Sequence, residues 1–271
     1  MMEQTAHAVA SSDRDRGDGA IWSLHVLGTG SASALELGAS SAVLERDGQP
    51  MLLIDCGPGT LKHYQRCYGA LPRAVFVTHA HMDHVAGLER LFYAAWFDPD
   101  QRGNVKLFVH ANLVPILQAR VADYPNAVAE GGANFWEGFR LVALSRGFWL
   151  DDWWFDVFAT RHHAAGTSFG VALCGCFAWT GDTRPIPEVL SGFADAHTLI
   201  AHDCALVGNP SHAGADDLER EYPDELRARL LLYHYGSAHD AEAMRERGFK
   251  VALPGGRYPL HAPDPVRAEA G

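Results

Sequence analysis

Residues 74–84 read Ala74-Val75-Phe76-Val77-Thr78-His79-Ala80-His81-Met82-Asp83-His84, an apolar run followed by three histidines and an aspartate. The apolar run predicts a buried strand, and the polar side chains follow its carboxyl end. Neutral imidazoles and a carboxylate are typical ligands of Zn(II), with iron or manganese as alternatives. One tetrahedral site takes three or four protein ligands, so four candidates in one short loop predict two metal ions. A solvated loop that is His-rich by chance, in a chain with 15 histidines, is the less favoured alternative.

Three later positions also place a ligand-type side chain directly after a predicted strand. The pair His162-His163 follows a strand that ends at Thr160, Asp182 ends a strand at a turn, and His234 follows another strand. Each position alone is more often a hydrogen-bonded structural residue. Their repetition of one arrangement predicts that they complete the metal site, where a carboxylate can bridge two ions.

These motifs resemble the metallo-β-lactamase superfamily over about residues 21–260. The segment from Thr78 to His84 matches its HxHxDH signature, with support from Leu53-Ile54-Asp55-Cys56-Gly57, Thr180-Gly181-Asp182-Thr183 and Leu232-Tyr233-His234. The resemblance implies an α+β fold, a four-layer αβ/βα sandwich of two mostly antiparallel or mixed sheets. It implies two divalent metal ions, Zn first and Mn or Fe as alternatives. Transferred residue by residue, the ligands are His79, His81 and His163 for the first ion, Asp83, His84 and His234 for the second, and Asp182 between them.

The choice between the two adjacent histidines rests on spacing. His163 is preferred because Ser168-Phe169-Gly170 follows it at the spacing typical of the family, and His162 stays open as the alternative. Asp55 is expected to lie behind the ligands and to orient an imidazole through its carboxylate.

Within the superfamily the chain is most similar to the ribonuclease Z-like branch. Leu27-Gly28-Thr29-Gly30-Ser31 resembles its opening strand and turn, and His212 lies 22 residues before His234, like a histidine of that branch that helps to protonate the leaving group. Asp203 falls where the acidic partner of that histidine is expected. The resemblance therefore implies catalytic roles for His212 and Asp203, and for Asp83 in positioning the attacking hydroxide. A surface-loop histidine without a role is the alternative for His212.

Two departures argue against transfer-RNA processing. The basic, Gly-rich arm of ribonuclease Z is missing, since only 19 positions separate His163 from Asp182. The net charge of −11 disfavours stable nucleic-acid binding, which needs Lys and Arg against the phosphates. The leading prediction is a dinuclear metal-dependent hydrolase, a phosphodiesterase that attacks a small or nucleotide-type phosphodiester through metal-bound hydroxide. The same site could hydrolyse a carboxylic ester, lactone, thioester or lactam, and a non-catalytic binding or regulatory protein is the least favoured interpretation.

The remaining sequence predicts one hydrolase domain over residues 21–271 behind a disordered tail at residues 1–20. Hydrophobic residues make up 48% of the chain, which is a globular composition. The sequence has no 18-residue apolar run and no signal-peptide pattern, and its five cysteines form no disulfide or metal pattern. These features predict a cytoplasmic protein without membrane contact. Residues 92–155 are rich in aromatics and hold five of the seven Trp, which could form a substrate wall or lid, a homodimer contact or core.

The order of strands and helices predicts two sheets packed face to face with helices outside. Residues 60–68 and 112–121 are expected to be helical. Residues 141–144, 153–160, 168–173 and 176–180 are expected to form a run of antiparallel strands. Residues 230–233 predict a further strand, and residues 251–253 predict the last one.

Overall fold

Strands and helices alternate in parts of the chain, and five consecutive strands lie between residues 140 and 179. This computed structural model describes residues 19–123, 127–128, 131–193, 195 and 197–264. The strands are β1 (Trp22–Gly28), β2 (Ser41–Arg46), β3 (Gln49–Ile54), β4 (Ala74–Val77), β5 (Lys106–His110), β6 (Ala127–Val128), β7 (Gly131–Gly132), β8 (Arg140–Leu144), β9 (Gly147–Leu150), β10 (Trp153–Ala159), β11 (Phe169–Leu173), β12 (Phe177–Trp179), β13 (Leu199–Asp203), β14 (Leu230–Tyr233), β15 (Lys250–Val251) and β16 (Arg257–Leu260). The α-helices are α1 (Thr60–Tyr68), α2 (Met82–Val85), α3 (Leu88–Trp96), α4 (Val114–Leu117), α5 (Pro187–Phe193), α6 (Ala215–Glu221), α7 (Asp224–Arg227) and α8 (Ala238–Glu246). The predicted disordered tail lies outside the described residues, except for residues 19 and 20.

Two seven-stranded sheets contain all of these strands except β6 and β7. The first has the order β16-β1-β2-β3-β4-β5-β8, and the second has the order β15-β14-β13-β12-β11-β10-β9. The strands β3, β4, β5 and β8 are parallel to one another, as are β12 to β15, and the remaining neighbours are antiparallel. Both sheets are therefore mixed, and the predicted α+β sandwich is confirmed.

Apolar side chains hold the layers together. Phe76 of the first sheet packs on Phe148 of the second, with ring centroids 5.9 Å apart, in a core shared by both sheets. A second buried cluster covers the other face of the second sheet, where the helices contribute Leu190, Leu218 and Met244. Each fully buried side chain of this size stabilises the fold by about 1.5–3 kcal/mol. The helices accordingly lie outside the paired sheets.

Local structure follows the sequence pattern at many positions. Helix α1 and strand β14 have the predicted bounds. The helix predicted over residues 112–121 occurs as a 3-10 turn at Ala111–Leu113, helix α4 and a π-helical turn at Gln118–Ala122.

Two predictions of strand arrangement were wrong. The strand β8 does not belong to the antiparallel run, because it lies parallel to β5 at the edge of the first sheet. The last described strand is β16, which pairs with β1, and not the segment at residues 251–253. Short apolar strands resemble one another in sequence, so their partners are set by contacts distant in the chain.

The aromatic stretch is mainly core. Phe92, Phe139, Phe148 and Phe155 are buried, whereas Trp149 is 53% exposed. In the part of the chain that the structure describes, no helix has the length and apolar character needed to span a bilayer.

Candidate metal centre

The predicted ligands meet at one edge of the sandwich because they follow parallel strands. In the second sheet, Asp182 follows β12, Asp203 ends β13 and His234 follows β14. Carboxyl ends of parallel strands lie at the same edge of a sheet, which gathers these side chains. An antiparallel bridge between His79, just after β4, and Ser168 joins the two sheets at this point. The ligands of the first sheet therefore face those of the second.

Three overlapping groups of described side chains have the spacing of metal ligands, with ligand atoms that lie within 4.8 Å of one another. The first ligand group is His79, His81, His162 and Asp182, and the second is Asp83, His84, Asp182 and His234. The third combines Asp182 and His234 with Asp203 and His212. Asp182 belongs to all three. Its Oδ2 lies 3.5 Å from His79 Nε2 and 3.4 Å from His234 Nε2, and its Oδ1 lies 3.4 Å from His84 Nε2. The Asp182 carboxylate therefore lies between the histidines of the first and second ligand groups.

The geometry corrects the choice between the adjacent histidines. His162 is buried, its Nε2 lies 3.1 Å from His81 Nδ1, and its Nδ1 bonds the carbonyl of Ser211 at 3.0 Å. His163 is exposed, and its Nε2 lies 3.0 Å from His81 Nε2. The ligand group lies at the other ring nitrogen of His81, Nδ1. The Ser211 carbonyl accepts from Nδ1 and fixes the His162 tautomer, so Nε2 is left for a metal. His162, and not the predicted His163, therefore belongs to the first ligand group.

Unpaired buried atoms fit a bound metal. His84 Nε2, His234 Nε2 and Asp182 Oδ1 are buried and make no hydrogen bond within the described residues. A buried polar atom left without a partner costs about 1–3 kcal/mol. Three such atoms converge here, and their imidazole and carboxylate chemistry suits Zn(II) or a similar divalent ion.

Asp55 orients two of the histidines. Its Oδ2 lies 2.8 Å from His84 Nδ1 and accepts a hydrogen bond from Thr78 Oγ1 at 2.7 Å, and its Oδ1 accepts one from the backbone N of Thr78 at 2.8 Å. Thr78 Oγ1 lies 3.0 Å from His79 Nδ1, so it accepts the proton of that nitrogen. Both imidazoles therefore present Nε2 to the ligand groups. Asp55 has a φ of 60° and His234 a φ of 65°, which are strained backbone conformations for these residues.

The protonation states favour metal binding at two key ligands. Burial disfavours the charge of Asp182, but the imidazoles of His234, His84 and His79 outweigh burial and hold its pKa well below the usual range. Burial is also the main reason that the pKa of His79 is well below 6.5. A charged carboxylate and a neutral imidazole are the forms that bind divalent ions.

His212, which is half-buried, and the buried Asp203 form a hydrogen-bonded pair beside the second ligand group. His212 Nδ1 donates to Asp203 Oδ2 at 2.8 Å, and the same oxygen accepts from the backbone N of Thr183 at 2.9 Å. Asp203 Oδ1 lies 3.3 Å from His234 Nδ1, so one carboxylate contacts both imidazoles. Burial lowers the pKa of His212, but the hydrogen bond and charge of Asp203 raise it above its ordinary value. The expected pairing therefore agrees with the geometry.

A pocket of about 590 Å³ opens onto these groups. Its lining residues are Ser31, Ala32, Ser33, His81, Asp83, Asp182, Ala205, Leu206, Val207, Asn209, His212, His234, Gly236 and Asp240. The aromatic stretch contributes none of them, and neither do Lys and Arg among the described residues. Asn209, Gly236 and Asp240 were not predicted from the sequence, although their closeness to His212 and His234 was a usable signal. Because three aspartates line the pocket, an anionic substrate needs the metal ions as its main positive charge.

The chain is similar to known proteins both in sequence and in fold. Residues 22–255 match the family model described as Anti-Pycsar protein Apyc1. A protein of that name from Paenibacillus harenae is 28% identical over 245 residues, covering 87% of this chain and 98% of its own length. A metallo-β-lactamase fold protein of Bacillus subtilis superposes with a TM-score of 0.66 at 14% identity, covering 88% of this chain and 99% of its own. The short form of human transfer-RNA ribonuclease Z gives 0.58 at 17%, covering 87% and 98%. The predicted superfamily resemblance is confirmed.

Proposed function

Because the chain belongs to the Apyc1 family of anti-Pycsar proteins and is a metal-dependent hydrolase, we propose that it is a dinuclear phosphodiesterase that opens a small cyclic nucleotide. The observation that carries this proposal is the pair of four-membered ligand groups sharing Asp182, with the His212–Asp203 pair beside them in one pocket. A further support is the name of a macaque relative, zinc phosphodiesterase ELAC protein 2, which is 30% identical over 279 residues. The match covers 88% of this chain and 31% of that relative.

Two ions would be held by the two ligand groups. His79, His81, His162 and Asp182 would bind the first, and Asp83, His84, Asp182 and His234 the second. When bound, such ions lower the pKa of water and stabilise negative charge on the phosphoryl group. Asp55 would keep the ligand imidazoles in their binding tautomer through its contacts with His84 and Thr78.

The remaining side chains of the pocket would handle protons. Asp83 Oδ2 lies 3.5 Å from both His84 Nε2 and His234 Nε2, where the carboxylate can also accept a proton from the attacking water. His212 is held at Nδ1 by Asp203, which leaves its Nε2–H to donate to the departing ribose oxygen. General acid catalysis of this kind contributes about 10²–10⁴-fold.

A small substrate fits the charge and size of the pocket better than a polynucleotide. The volume of about 590 Å³ lies in the range of small-ligand sites. No Lys or Arg side chain lines the pocket in the described part of the chain, so a long phosphate backbone would find no cationic track. One phosphodiester at the metal ions needs no such track.

The test is a substrate panel with metal-loaded protein. We expect turnover of 3′,5′-cyclic CMP, cyclic UMP and bis-p-nitrophenyl phosphate, and none of a lactone or thioester. Asp182→Asn should abolish turnover with loss of metal, and Asp217→Asn, a charge-matched change outside the pocket, should not. Hydrolysis of a lactone or thioester without any phosphodiester would refute the proposal.

A further inference from the structure

We infer that Asp240 determines substrate specificity, by accepting a hydrogen bond from a donor group of the nucleoside while the phosphate lies at the metal ions. This inference rests on the proposed function. The donor is either the ribose 2′-hydroxyl, which is free in a 3′,5′-cyclic nucleotide, or an exocyclic amino group of the base. Both offer the same chemistry to a carboxylate.

Asp240 belongs to the wall of the metal pocket. It lies in the first turn of α8, six residues after His234, and lines the pocket together with Asp83, Asp182 and His212. Its backbone is fixed, because its N–H donates to the Oγ of Ser237 at 3.1 Å. The backbone of Asp240 therefore has a defined position relative to the metal ligands, from which its side chain reaches the pocket.

The carboxylate is available to a ligand. A Ser-x-x-Asp segment at a helix start can form a capping box, in which the Asp carboxylate accepts a hydrogen bond from the backbone N–H of the capping Ser. Here Ser237 caps the helix, but within the described residues the Asp240 carboxylate accepts no hydrogen bond from Ser237 or any other group. It is half-buried, so it keeps part of its acceptor capacity facing the pocket.

Gly236 makes room for this carboxylate. A Cβ placed on Gly236 would lie 2.8 Å from Asp240 Oδ2, which is closer than real contacts allow. Gly236 does not have a positive φ, so its backbone conformation does not itself call for glycine. An alanine at this position would therefore displace the Asp240 carboxylate.

Charge and shape orient the substrate in the same sense. The carboxylate repels the phosphate, so the anionic end of a nucleotide is favoured at the metal ions and the neutral nucleoside at Asp240. Leu206 and Val207, which is 80% exposed, supply an apolar part of the same wall. The two ends of the pocket thus differ in the groups that they accept.

The experiment compares native holoenzyme with Asp240→Ala, Asp240→Asn and Gly236→Ala on four substrates. They are 3′,5′-cyclic CMP, its 2′-deoxy analogue, cyclic UMP, which has a carbonyl in place of the amino group, and bis-p-nitrophenyl phosphate. Glu246→Gln is the charge-matched control, since it lies exposed on the same helix. Metal content and thermal unfolding of each variant show whether the fold and the metal site are intact.

A hydrogen bond to a charged acceptor corresponds to about 10- to 100-fold in binding. We expect Asp240→Ala to raise KM for cyclic CMP by that factor with little change in kcat, and Gly236→Ala to shift KM in the same direction. The analogue that lacks the contacted donor should have a high KM in the native enzyme and no further increase in the variant. If the 2′-deoxy analogue shows this pattern, the contacted donor is the ribose 2′-hydroxyl. If cyclic UMP shows it, the donor is the amino group of the base.

Unchanged KM for cyclic CMP in Asp240→Ala, with normal hydrolysis of bis-p-nitrophenyl phosphate, would overturn this inference and leave the proposed function intact. Equal loss on all four substrates would also overturn it, because the effect would then not depend on the nucleoside. If native protein hydrolyses no phosphodiester, the proposed function fails and this inference fails with it.

Discussion

Replacing His162 and His163 separately tests how the metal centre is assembled. The two residues are neighbours in sequence, so the same substitution to Ala at each serves as the matched control for the other. His162 Nε2 lies 3.1 Å from His81 Nδ1 and 3.7 Å from Asp182 Oδ2, inside the first ligand group. His163 Nε2 lies 3.0 Å from His81 Nε2, the nitrogen that faces away from that group.

The expected magnitudes differ widely. Removing a residue that only orients a metal ligand typically weakens metal binding by about 10–100-fold. His162→Ala removes a ligand itself, so we expect affinity for the first ion to fall by at least about 100-fold, to one metal per chain after dialysis against a weak chelator. His163→Ala removes at most an orienting contact made by an exposed side chain, so the loss should not exceed the lower end of that range, about tenfold, and two metals should remain.

Elemental analysis of dialysed protein and competition titration with a chromophoric chelator measure both values. Thermal unfolding of the metal-free variants shows whether either substitution damages the fold. Loss of one metal in His163→Ala with full retention in His162→Ala would refute the geometry. Equal losses in both variants would show that the two imidazoles share the ligand position.

Three further predictions concern other groups. His212→Ala should lower kcat for a cyclic nucleotide by about 10²–10⁴-fold. Hydrolysis of bis-p-nitrophenyl phosphate should be much less affected, because p-nitrophenolate leaves without a proton. Equal losses of kcat on both substrates would exclude the acid role. Asp55→Ala should weaken metal binding by about 10–100-fold, seen by competition titration, since His84 loses its orienting acceptor; unchanged affinity would contradict that role. Burial and the charge of Arg257 lower the pKa of His25 from 6.5 to about 4, so the unfolded chain takes up a proton first as the pH falls. Stability should therefore decline between pH 6.5 and 4 by up to about 3 kcal/mol, and denaturant titration of His25→Gln should show a shallower decline over that window.

Much of the local structure could be predicted from the sequence. Helix α1 has apolar side chains at Leu61 and Tyr64 on one face and lies between Gly59 and Gly69, which are typical helix boundaries. The strand β14 is a continuous apolar run. These signals lie within a few neighbouring residues, so no information about the rest of the chain is needed to interpret them.

The pairing of strands could not be predicted in the same way. The strand β8 is separated by a two-residue turn from β9, yet the two belong to different sheets. Their sequences are equally apolar and short, so neither indicates its sheet. That choice depends on which neighbouring edge completes each core.

In the candidate site too, some features could be predicted from the sequence and others depend on the tertiary structure. The sequence by itself determined the ligand types, since a His-x-His-x-Asp-His segment after an apolar strand, and Asp182 and His234 after two others, have few other uses together. Only the tertiary structure decided that His162 faces the ligands, because the Ser211 carbonyl that fixes its ring lies 49 residues away. Only the tertiary structure brought Asp240 to the pocket. Ligand chemistry is a property of single side chains, whereas their directions depend on contacts that folding alone creates.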